Sequence, residues 1–327
     1  MSRSTASVII CTRNRPQTVC DAVEKVASQR QRTAEVIVVD QSDEANEELA
    51  ARPDVTYLRD PQRGAPRAKN LGISTASGEI LLFLDDDTVA PPGLVEAHLA
   101  NYADESVHAV AGRVLCPDDP PLDPRAPIGR LCLRDLSMTA NFHATRRAEV
   151  DHVYGCNWSV RREVLERVGG FDESLQPEGK GTAFFEEAEL SLRIRRAGSR
   201  IVFDPLAVAE HRKAPTGGCR PRDQREWSYW FYRNKTILFR LYCRRRWLAW
   251  FLARQAVSVA RRAASAEVRR GGSSVGFAGC CVRALWDGWR AAPRAQIPVV
   301  GEAVSLEPPH IDDAKPKAMV SSLPCES

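Results

Sequence analysis

The first hundred residues alternate short apolar runs with amphipathic stretches. Four runs are continuous and rich in β-branched and aliphatic side chains, as buried parallel strands are, at 7–12, 35–40, 55–58 and 80–84. Between the first two runs, Pro16 suits the first turn of a helix, and Val19, Val23 and Val26 follow at helical spacing. Strands that alternate with helices predict an α/β fold, with a mostly parallel central sheet flanked by helices.

The pattern is less regular in the second hundred residues. It predicts, in order, a strand at 109–115, a loop with five prolines at 116–127, an irregular excursion over the sheet edge at 128–152, helices at 161–168 and 190–197, and a strand at 201–203. Val153 and Tyr154 are strand-like, so Gly155 is expected to follow a strand and to precede a helix. Residues 224–290 predict basic helices with many aromatic side chains.

Charge divides the 327 residues into three parts. Residues 1–211 hold 25 Lys and Arg against 33 Asp and Glu, whereas residues 212–290 hold 18 against 4, a net charge of +14. Residues 291–327 contain six prolines and little apolar periodicity, which predicts a disordered tail. We expect a catalytic domain in the acidic first part, and a basic helical region in the second that attaches to an anionic surface.

Composition excludes several classes of protein. With 43% hydrophobic and 27% charged residues, the chain has ordinary globular composition rather than that of a disordered protein. The ten cysteines form no CxxC pair, and the first residues lack the apolar run of a signal peptide, so reduced thiols and a cytoplasmic location are expected. No stretch of about 18 apolar residues occurs, so we expect no membrane-spanning helix.

The strongest chemical signal is the triplet Asp85-Asp86-Asp87, where a buried strand is predicted to end. Adjacent carboxylates repel one another, and a divalent cation such as Mg²⁺ or Mn²⁺ relieves that repulsion. On its own, the triplet is explained equally well by an acidic helix cap or a solvated turn.

Polar residues at other predicted boundaries give weaker signals. Asp40 ends the second strand, where it either accepts hydrogen bonds from a nucleobase or ribose or closes a turn. Residues 62–70 place three cations beside a glycine ahead of a helix, a composition that suits a diphosphate as well as solvent. Gly155 permits close approach of a ligand, and Trp158 either stacks on a sugar or is a buried structural residue.

Acidic residues also begin a predicted helix, at Glu186 and Glu187. They either compensate the helix dipole or supply a general base. His211 precedes the basic block, and a lone histidine is by itself more typical of a structural residue than of a ligand.

These signals occur in one order. The chain resembles the family-two inverting glycosyltransferases of the GT-A fold over about residues 5–215. The matching stretches are SVIICTRNRP (7–16), VIVVDQS (36–42), GAPRAKNLGI (64–73), LLFLDDDTVAPPG (81–93), GCNWSVRREVLERVGGFDE (155–173), FFEEAELSLRIRRAG (184–198) and PLAVAEH (205–211). Each stretch is modestly specific, and their common order makes the resemblance specific. It implies a GT-A type nucleotide-sugar-binding fold.

The resemblance also implies roles for individual residues. In the donor site, Thr12 and Arg15 line the nucleotide pocket, Asp40 recognises the base, Lys69 lies near the diphosphate where an Arg is usual, Gly155 lies beside the donor sugar, and Asp86 and Asn157 belong to the same site. In the metal site, Asp85 and Asp87 form the Asp-x-Asp motif, and His211 completes the coordination of Mg²⁺ or Mn²⁺.

The catalytic base is implied at Glu187, on the second acidic residue of the family's x-Glu-Asp motif. The family usually has Asp there, and the longer Glu side chain moves the carboxylate by about a bond length. Glu186 therefore competes for the role.

The implied reaction moves a sugar from a nucleotide-sugar donor to a hydroxyl of a glycan or lipid-linked acceptor, with inversion. UDP- and dTDP-sugars are the expected donors, and a GDP-sugar is the alternative. A divalent metal neutralises the departing diphosphate, and a carboxylate takes the acceptor proton. Such an enzyme is expected to act in cell-envelope or exopolysaccharide synthesis.

Two alternatives belong to other functional classes. A nucleotidyltransferase predicts a glycine-rich phosphate loop after the first strand, where this chain has TRNRP. An inactive carbohydrate-binding protein on the same fold would lack the metal or base carboxylates, which are present. Aromatic and arginine side chains interleave at 227–233, a pattern that also occurs in proteins that bind single strands, but no nucleic-acid partner is expected.

Instead, residues 224–290 are expected to lie peripherally on the anionic inner face of the cell membrane. A helical wheel places Leu248, Leu252, Val259 and Ala263 on one face and Arg254 on the other, as in a helix that lies in the interface plane. The alternative is that these helices pack their apolar stripe on the catalytic domain and leave the arginines in solvent.

Overall fold

The computed structural model describes residues 5–29, 33–177, 180–219, 221, 223–265 and 273–291, so the tail predicted beyond residue 291 lies outside the described residues. The strands are β1 (Ala6–Thr12), β2 (Thr33–Asp40), β3 (Val55–Arg59), β4 (Ile80–Asp85), β5 (Thr88–Val89), β6 (Val107–Leu115), β7 (Arg130–Cys132), β8 (Ser137–Thr139), β9 (Ala148–Glu149), β10 (Asn157–Arg161) and β11 (Arg200–His211). The helices are α1 (Pro16–Ala27), α2 (Glu47–Ala50), α3 (Ala65–Thr75), α4 (Leu94–Ala100), α5 (Arg162–Val168), α6 (Glu186–Arg196), α7 (Gln224–Tyr242), α8 (Leu248–Ala263) and α9 (Ser274–Arg290).

A central sheet runs in the order β3-β2-β1-β4-β10-β6-β11-β5, with β9 also paired to β11. The first four strands in that order are parallel, and β6 is parallel to β11. The mostly parallel sheet predicted from the sequence is confirmed. Both faces of this sheet are covered: in β1, Val8 and Ile10 pack with residues of α1 and α4, whereas Ile9 packs with residues of α3 and α5. This explains why the early strands are continuous apolar runs.

The order of elements around Gly155 differs from the prediction. The strand follows the glycine as β10, which pairs antiparallel with both β4 and β6, while Tyr154 and Gly155 precede it outside the sheet. The strand is fixed by Trp158, which is fully buried and stacks on Phe83 with ring centroids 4.5 Å apart. Trp158 is therefore a core residue and contacts no sugar site.

The predicted irregular excursion at 128–152 contains short strands. β7 and β8 form a two-stranded antiparallel pair of their own, and β9 joins the edge of β11. Such two- and three-residue strands leave too little periodicity for the sequence to reveal them.

The C-terminal helices predicted in the basic block are present and pack on the α/β part. Leu192 of α6 shares an apolar cluster with Phe239 of α7 and Phe251 of α8. A second cluster joins Tyr232 of α7 to Phe277 of α9. None of the helices in the described part of the chain combines the length and apolar composition needed to cross a bilayer.

Candidate active site

A cavity of about 620 Å³ opens at the carboxyl ends of β1 and β4. Ligands of open α/β sheets gather at this edge, because the strand ends and the loops that follow them meet there. Its wall contains most of the residues singled out in the sequence: Thr12, Arg15, Lys69, Asp85, Asp86, Asp87, Gly155, Glu186, Glu187 and His211.

His211 reaches the aspartates through a short strand pairing. After β4 ends at Asp85, the chain turns through Asp86 and Asp87 into β5, and Thr88 of β5 pairs with His211 at the end of β11. His211 Nε2 lies 3.1 Å from Asp87 Oδ1. The ligand atoms of Asp85, Asp87 and His211 all lie within 4.8 Å of one another. Two carboxylates and an imidazole at that spacing fit a divalent cation such as Mn²⁺ or Mg²⁺.

The three aspartates have different surroundings. Asp86 accepts hydrogen bonds from Thr12 Oγ1 at 2.7 Å and from Arg15 at 2.6 Å. Asp87 accepts one from the Ala214 amide at 2.8 Å in addition to its His211 contact. Although burial opposes its charge, these two partners lower the pKa of Asp87 to about 2.

Asp85 is the least satisfied carboxylate of the triplet. Its charge is penalised first by burial, and the nearby Asp87 charge adds to the effect, so the pKa of Asp85 is raised to about 6 despite the opposing charge of Lys69. A cation bound between Asp85, Asp87 and His211 would offset both penalties.

A second charged cluster in the cavity wall lies at the first turn of α6. Lys69 of α3 is buried, donates a short hydrogen bond to Glu187, and lies 3.5 Å from Glu186 Oε1. Burial disfavours its charge, but Glu187 and Glu186 outweigh that effect and raise the pKa of Lys69. Burial, followed by the Glu187 charge, raises the pKa of Glu186 to about 8. Burial therefore favours the protonated form of Glu186.

Gly155 brings backbone against the Glu187 carboxylate. A Cβ atom built on Gly155 would lie 2.6 Å from Glu187 Oε1 and 3.0 Å from its Cδ. Only a residue without a side chain leaves the carboxylate in its present place.

Two residues predicted for the donor site, Asn157 and Asp40, are not among the residues that line this cavity. Asn157 is fully buried in the sheet, where its amide donates to the Arg113 and Ala207 carbonyls and its oxygen contacts His98. Because β10 begins at Asn157, the side-chain amide of this residue lies within the sheet and does not line the cavity. Asp40 does end β2, as predicted, but it does not line the cavity.

The Asp40 carboxylate is committed to protein partners. It accepts a hydrogen bond from Tyr57 of the neighbouring strand β3 at 2.5 Å and another from the Ser42 amide at 2.8 Å. The next residue, Gln41, lies in the cavity wall instead. The side chain that faces the cavity is thus one position later than the sequence indicated.

Other wall residues were not singled out in the sequence, notably Arg13, Tyr154 and Lys213. Arg13 lies in the same TRNRP turn as Thr12 and Arg15, and Lys213 lies two residues after His211. Their closeness in sequence to predicted site residues is the signal that could have identified them. Together with Lys69 and Arg15, the side chains of Arg13 and Lys213 place cations in a wall that also contains the aspartate and glutamate carboxylates. The arrangement can bind a metal–diphosphate group and offers a carboxylate to accept a proton.

Comparison with known proteins adds to this geometry. Residues 7–169 match the family model described as glycosyl transferase family 2. Among curated proteins, the glucosyl-dolichyl phosphate glucuronosyltransferase of Haloferax volcanii is 23% identical over 253 residues, which cover 72% of this chain and 78% of the relative. The pre-mycofactocin glycosyltransferase of Mycobacterium tuberculosis is 27% identical over 184 residues; the match covers 54% of this chain and 37% of that relative's length.

Among solved structures, the chain is similar to the mannosyltransferase PcManGT from Pyrobaculum calidifontis in complex with GDP-Man and Mn²⁺. The TM-score is 0.52 at 19% identity, and the match covers 90% of this chain and 77% of the other. This likeness confirms the fold predicted from the sequence.

Proposed function

The chain belongs to glycosyl transferase family 2 and has the GT-A fold, and we propose that it transfers a sugar from a nucleotide-sugar donor to a hydroxyl of a glycan or lipid-linked acceptor, with inversion at the anomeric carbon. One observation carries this proposal: the candidate metal triad and the Glu186–Glu187 cluster face the same cavity. An inactive carbohydrate-binding protein leaves that combination without a purpose.

Asp85, Asp87 and His211 would hold Mn²⁺ or Mg²⁺. Bound there, the cation supplies Lewis-acid stabilisation of the departing diphosphate. Arg15 and Lys69 line the same cavity and would add positive charge beside the two phosphates.

Glu187 is the stronger candidate for the base. Burial raises the pKa of Glu186, which favours its protonated form and leaves it less available to accept a proton at neutral pH. Glu187 carries the ion pair with Lys69 and touches Gly155. In the proposed reaction, its carboxylate takes the proton of the acceptor hydroxyl while that oxygen attacks the anomeric carbon opposite the leaving diphosphate, which gives inversion.

The acceptor class is supported by a relative. The name of the H. volcanii protein specifies glucosyl-dolichyl phosphate, a lipid-linked sugar, and this agrees with an acceptor at a membrane in cell-envelope or exopolysaccharide synthesis. For the donor, we propose UDP or dTDP sugars, with GDP sugars as the alternative because PcManGT is solved with GDP-Man.

We test the chemistry by measuring release of nucleoside diphosphate from UDP-, dTDP- and GDP-sugars with Mn²⁺ or Mg²⁺. Glu187→Gln should retain nucleotide binding but lose turnover by about 10²- to 10⁴-fold, the usual contribution of a general base. Glu186→Gln is the matched control and should retain most of the turnover. The reverse result would assign the base to Glu186, and full turnover in both variants would refute a carboxylate base at this helix.

We also propose that the enzyme works at an anionic membrane surface, through α9 rather than through the face of α8 inferred from the sequence. On α8, Val259 of the predicted face is buried against Phe277 and Leu252 is 45% exposed, whereas the apolar stripe of α9 is more exposed. Val275, Val282 and Trp286 are 82%, 62% and 59% exposed. At 100° per residue, they lie within about 40° of one another on a wheel.

This outward stripe of α9 has the chemistry of an interfacial helix. Trp289 continues it at 38% exposure, and Arg283 and Arg290 flank it. Each basic side chain near an anionic leaflet contributes about 1 kcal/mol, and tryptophan rings favour the interface. The alternative, in which the helices only pack on the catalytic part, accounts for α7 but not for this exposed stripe.

Cosedimentation with phosphatidylglycerol vesicles tests the membrane proposal. We expect binding at low salt that weakens at high salt and falls at least tenfold in a Val282→Ser/Trp286→Ser variant. Leu206→Ser is the matched control, since Leu206 is 78% exposed but lies on β11. Equal loss in both variants, or no binding at low salt, would contradict the proposal.

A further inference from the structure

Phe185, the residue directly before Glu186 and Glu187, has an unfavourable backbone conformation. Phe185 has φ of +71°, in the left-handed region, at the N-cap position of α6. For a bulky aromatic residue this conformation is rare and costly, and it persists only where the surroundings hold it. Because Glu186 and Glu187 follow directly, whatever holds Phe185 also sets the direction of their side chains.

Aromatic side chains of α7 hold this segment from the side away from the cavity. The Phe231 ring lies 5.1 Å from that of Phe185 and 5.8 Å from that of Phe184. Trp227, one turn earlier on α7, lies 5.1 Å from Phe184 and stacks on Phe231 at 4.7 Å. The segment is thus packed between α7 and the start of α6.

A buried amide fixes the backbone of the same segment. Asn234 of α7 is fully buried, and its Nδ2 donates to the Phe184 carbonyl at 3.2 Å and to the Leu175 carbonyl at 2.7 Å. A buried polar side chain inside a helix is costly unless its hydrogen bonds are made, and this one makes them outside its own helix. The Asn234 side chain therefore connects α7 to two separate segments of the chain, at Leu175 and at Phe184.

One turn further along α6, a third contact repeats the connection. Glu189 is fully buried, pairs with Arg193 at 2.9 Å and accepts a hydrogen bond from the hydroxyl of Tyr242, the last residue of α7. Arg193 in turn donates to the Val168 carbonyl at 2.7 Å. The helix that bears the proposed base is therefore held by α7 at its N-cap segment and at Glu189 of its first turn.

We propose that α7 is a positioning element of the active site, in which Asn234 and Phe231 hold the Phe184–Phe185 segment so that Glu187 faces the donor cavity. The first helix of the basic block thus belongs to the catalytic unit, and attachment is left to the outward stripe of α9. The inference rests on the proposed function for the role of Glu187, but its structural part does not.

The experiment compares Asn234→Ala and Phe231→Leu with Thr236→Ala. Thr236 is a matched control on α7: it is equally buried, and its hydroxyl bonds within the helix, to the Tyr232 carbonyl at 2.8 Å. Hydrogen exchange is measured in the peptide that covers 183–190, together with turnover of the nucleotide sugar and the Kd for UDP with Mn²⁺ by calorimetry.

We expect Asn234→Ala and Phe231→Leu to speed amide exchange in this peptide, and to lower kcat at least tenfold while the Kd for UDP changes less than twofold. Thr236→Ala should change none of these. Unchanged exchange, or faster exchange with wild-type kcat, would overturn the inference. A loss of UDP binding in proportion to kcat would also overturn it, because that pattern indicates general unfolding. If Glu187→Gln keeps full turnover, the proposed base fails, whereas the exchange result still decides whether α7 holds α6.

Discussion

Replacing Gly155 with alanine tests the geometry of the site with one methyl group. The added Cβ would lie 2.6 Å from Glu187 Oε1, whereas ordinary contacts begin at 3.4 Å, so the carboxylate must move by about 0.8 Å. A misplacement of about 1 Å in a catalytic group costs about 100-fold in rate, or about 2.7 kcal/mol in activation free energy. We therefore expect kcat to fall by about 100-fold while the Kd for UDP with Mn²⁺ changes little.

The assay follows nucleoside diphosphate release under saturating donor. Gly279→Ala is the matched control, because a Cβ built on Gly279 meets no atom within 4 Å. Both variants should unfold at a temperature close to that of the wild type. If Gly155→Ala and Gly279→Ala have the same kcat, the carboxylate at Gly155 does not act in the reaction, and the assignment of Glu187 fails.

Three further predictions concern charged groups of the cavity. Asp87→Ala should abolish metal-dependent turnover and Mn²⁺ binding measured by calorimetry, whereas His211→Ala should weaken both by less, because water can replace one ligand; wild-type turnover of Asp87→Ala in chelator-treated buffer would end the metal assignment. Lys69→Arg should keep most turnover and Lys69→Met should lose more than tenfold, since a charge is needed beside the diphosphate and Glu187; equal activities would contradict this. The pKa of Glu186 is raised from its ordinary 4.5 to about 8, so the folded state retains a proton that the unfolded state loses, and the free energy of unfolding should fall as pH rises through that window. Glu186→Gln should therefore raise Tm more at pH 8 than at pH 5. An equal gain in Tm at both pH values would refute the raised pKa.

The sequence predicts the first half of the sheet because each strand there is covered on both faces. Residues 8–11 of β1 and 80–84 of β4 are apolar without interruption, a pattern with few alternatives. β10 escapes prediction because it carries polar residues into the core. Asn157 and Ser159 are both fully buried and bond to His98 of α4, so polarity at these positions does not indicate solvent.

In the site, the sequence identifies which strand ends matter but not which side chains turn toward the cavity. Asp40 and Gln41 are adjacent, and the partner that decides between them is Tyr57 on another strand, 17 residues from Asp40. Likewise, His211 joins Asp87 across 124 residues only because β5 and β11 pair. Spacing along the chain reveals neither the Asp40–Tyr57 contact nor the Asp87–His211 contact. The family resemblance alone indicated that Asp87 and His211 lie together.

The two glutamates at the start of α6 show how environment assigns chemistry to neighbours of the same type. Successive residues of a helix point about 100° apart, so the two carboxyl groups meet different surroundings. Glu186 is the more buried and lies 3.5 Å from Lys69, whereas Glu187 forms the closer pair with Lys69 and lies against Gly155. Burial favours the protonated form of the first acid, and the second forms the ion pair with Lys69. In its protonated form, Glu186 adds no second negative charge beside Glu187. A pair of glutamates where the family usually has Glu-Asp can therefore still provide one base, provided that α7 holds the first turn of α6 in its unusual conformation.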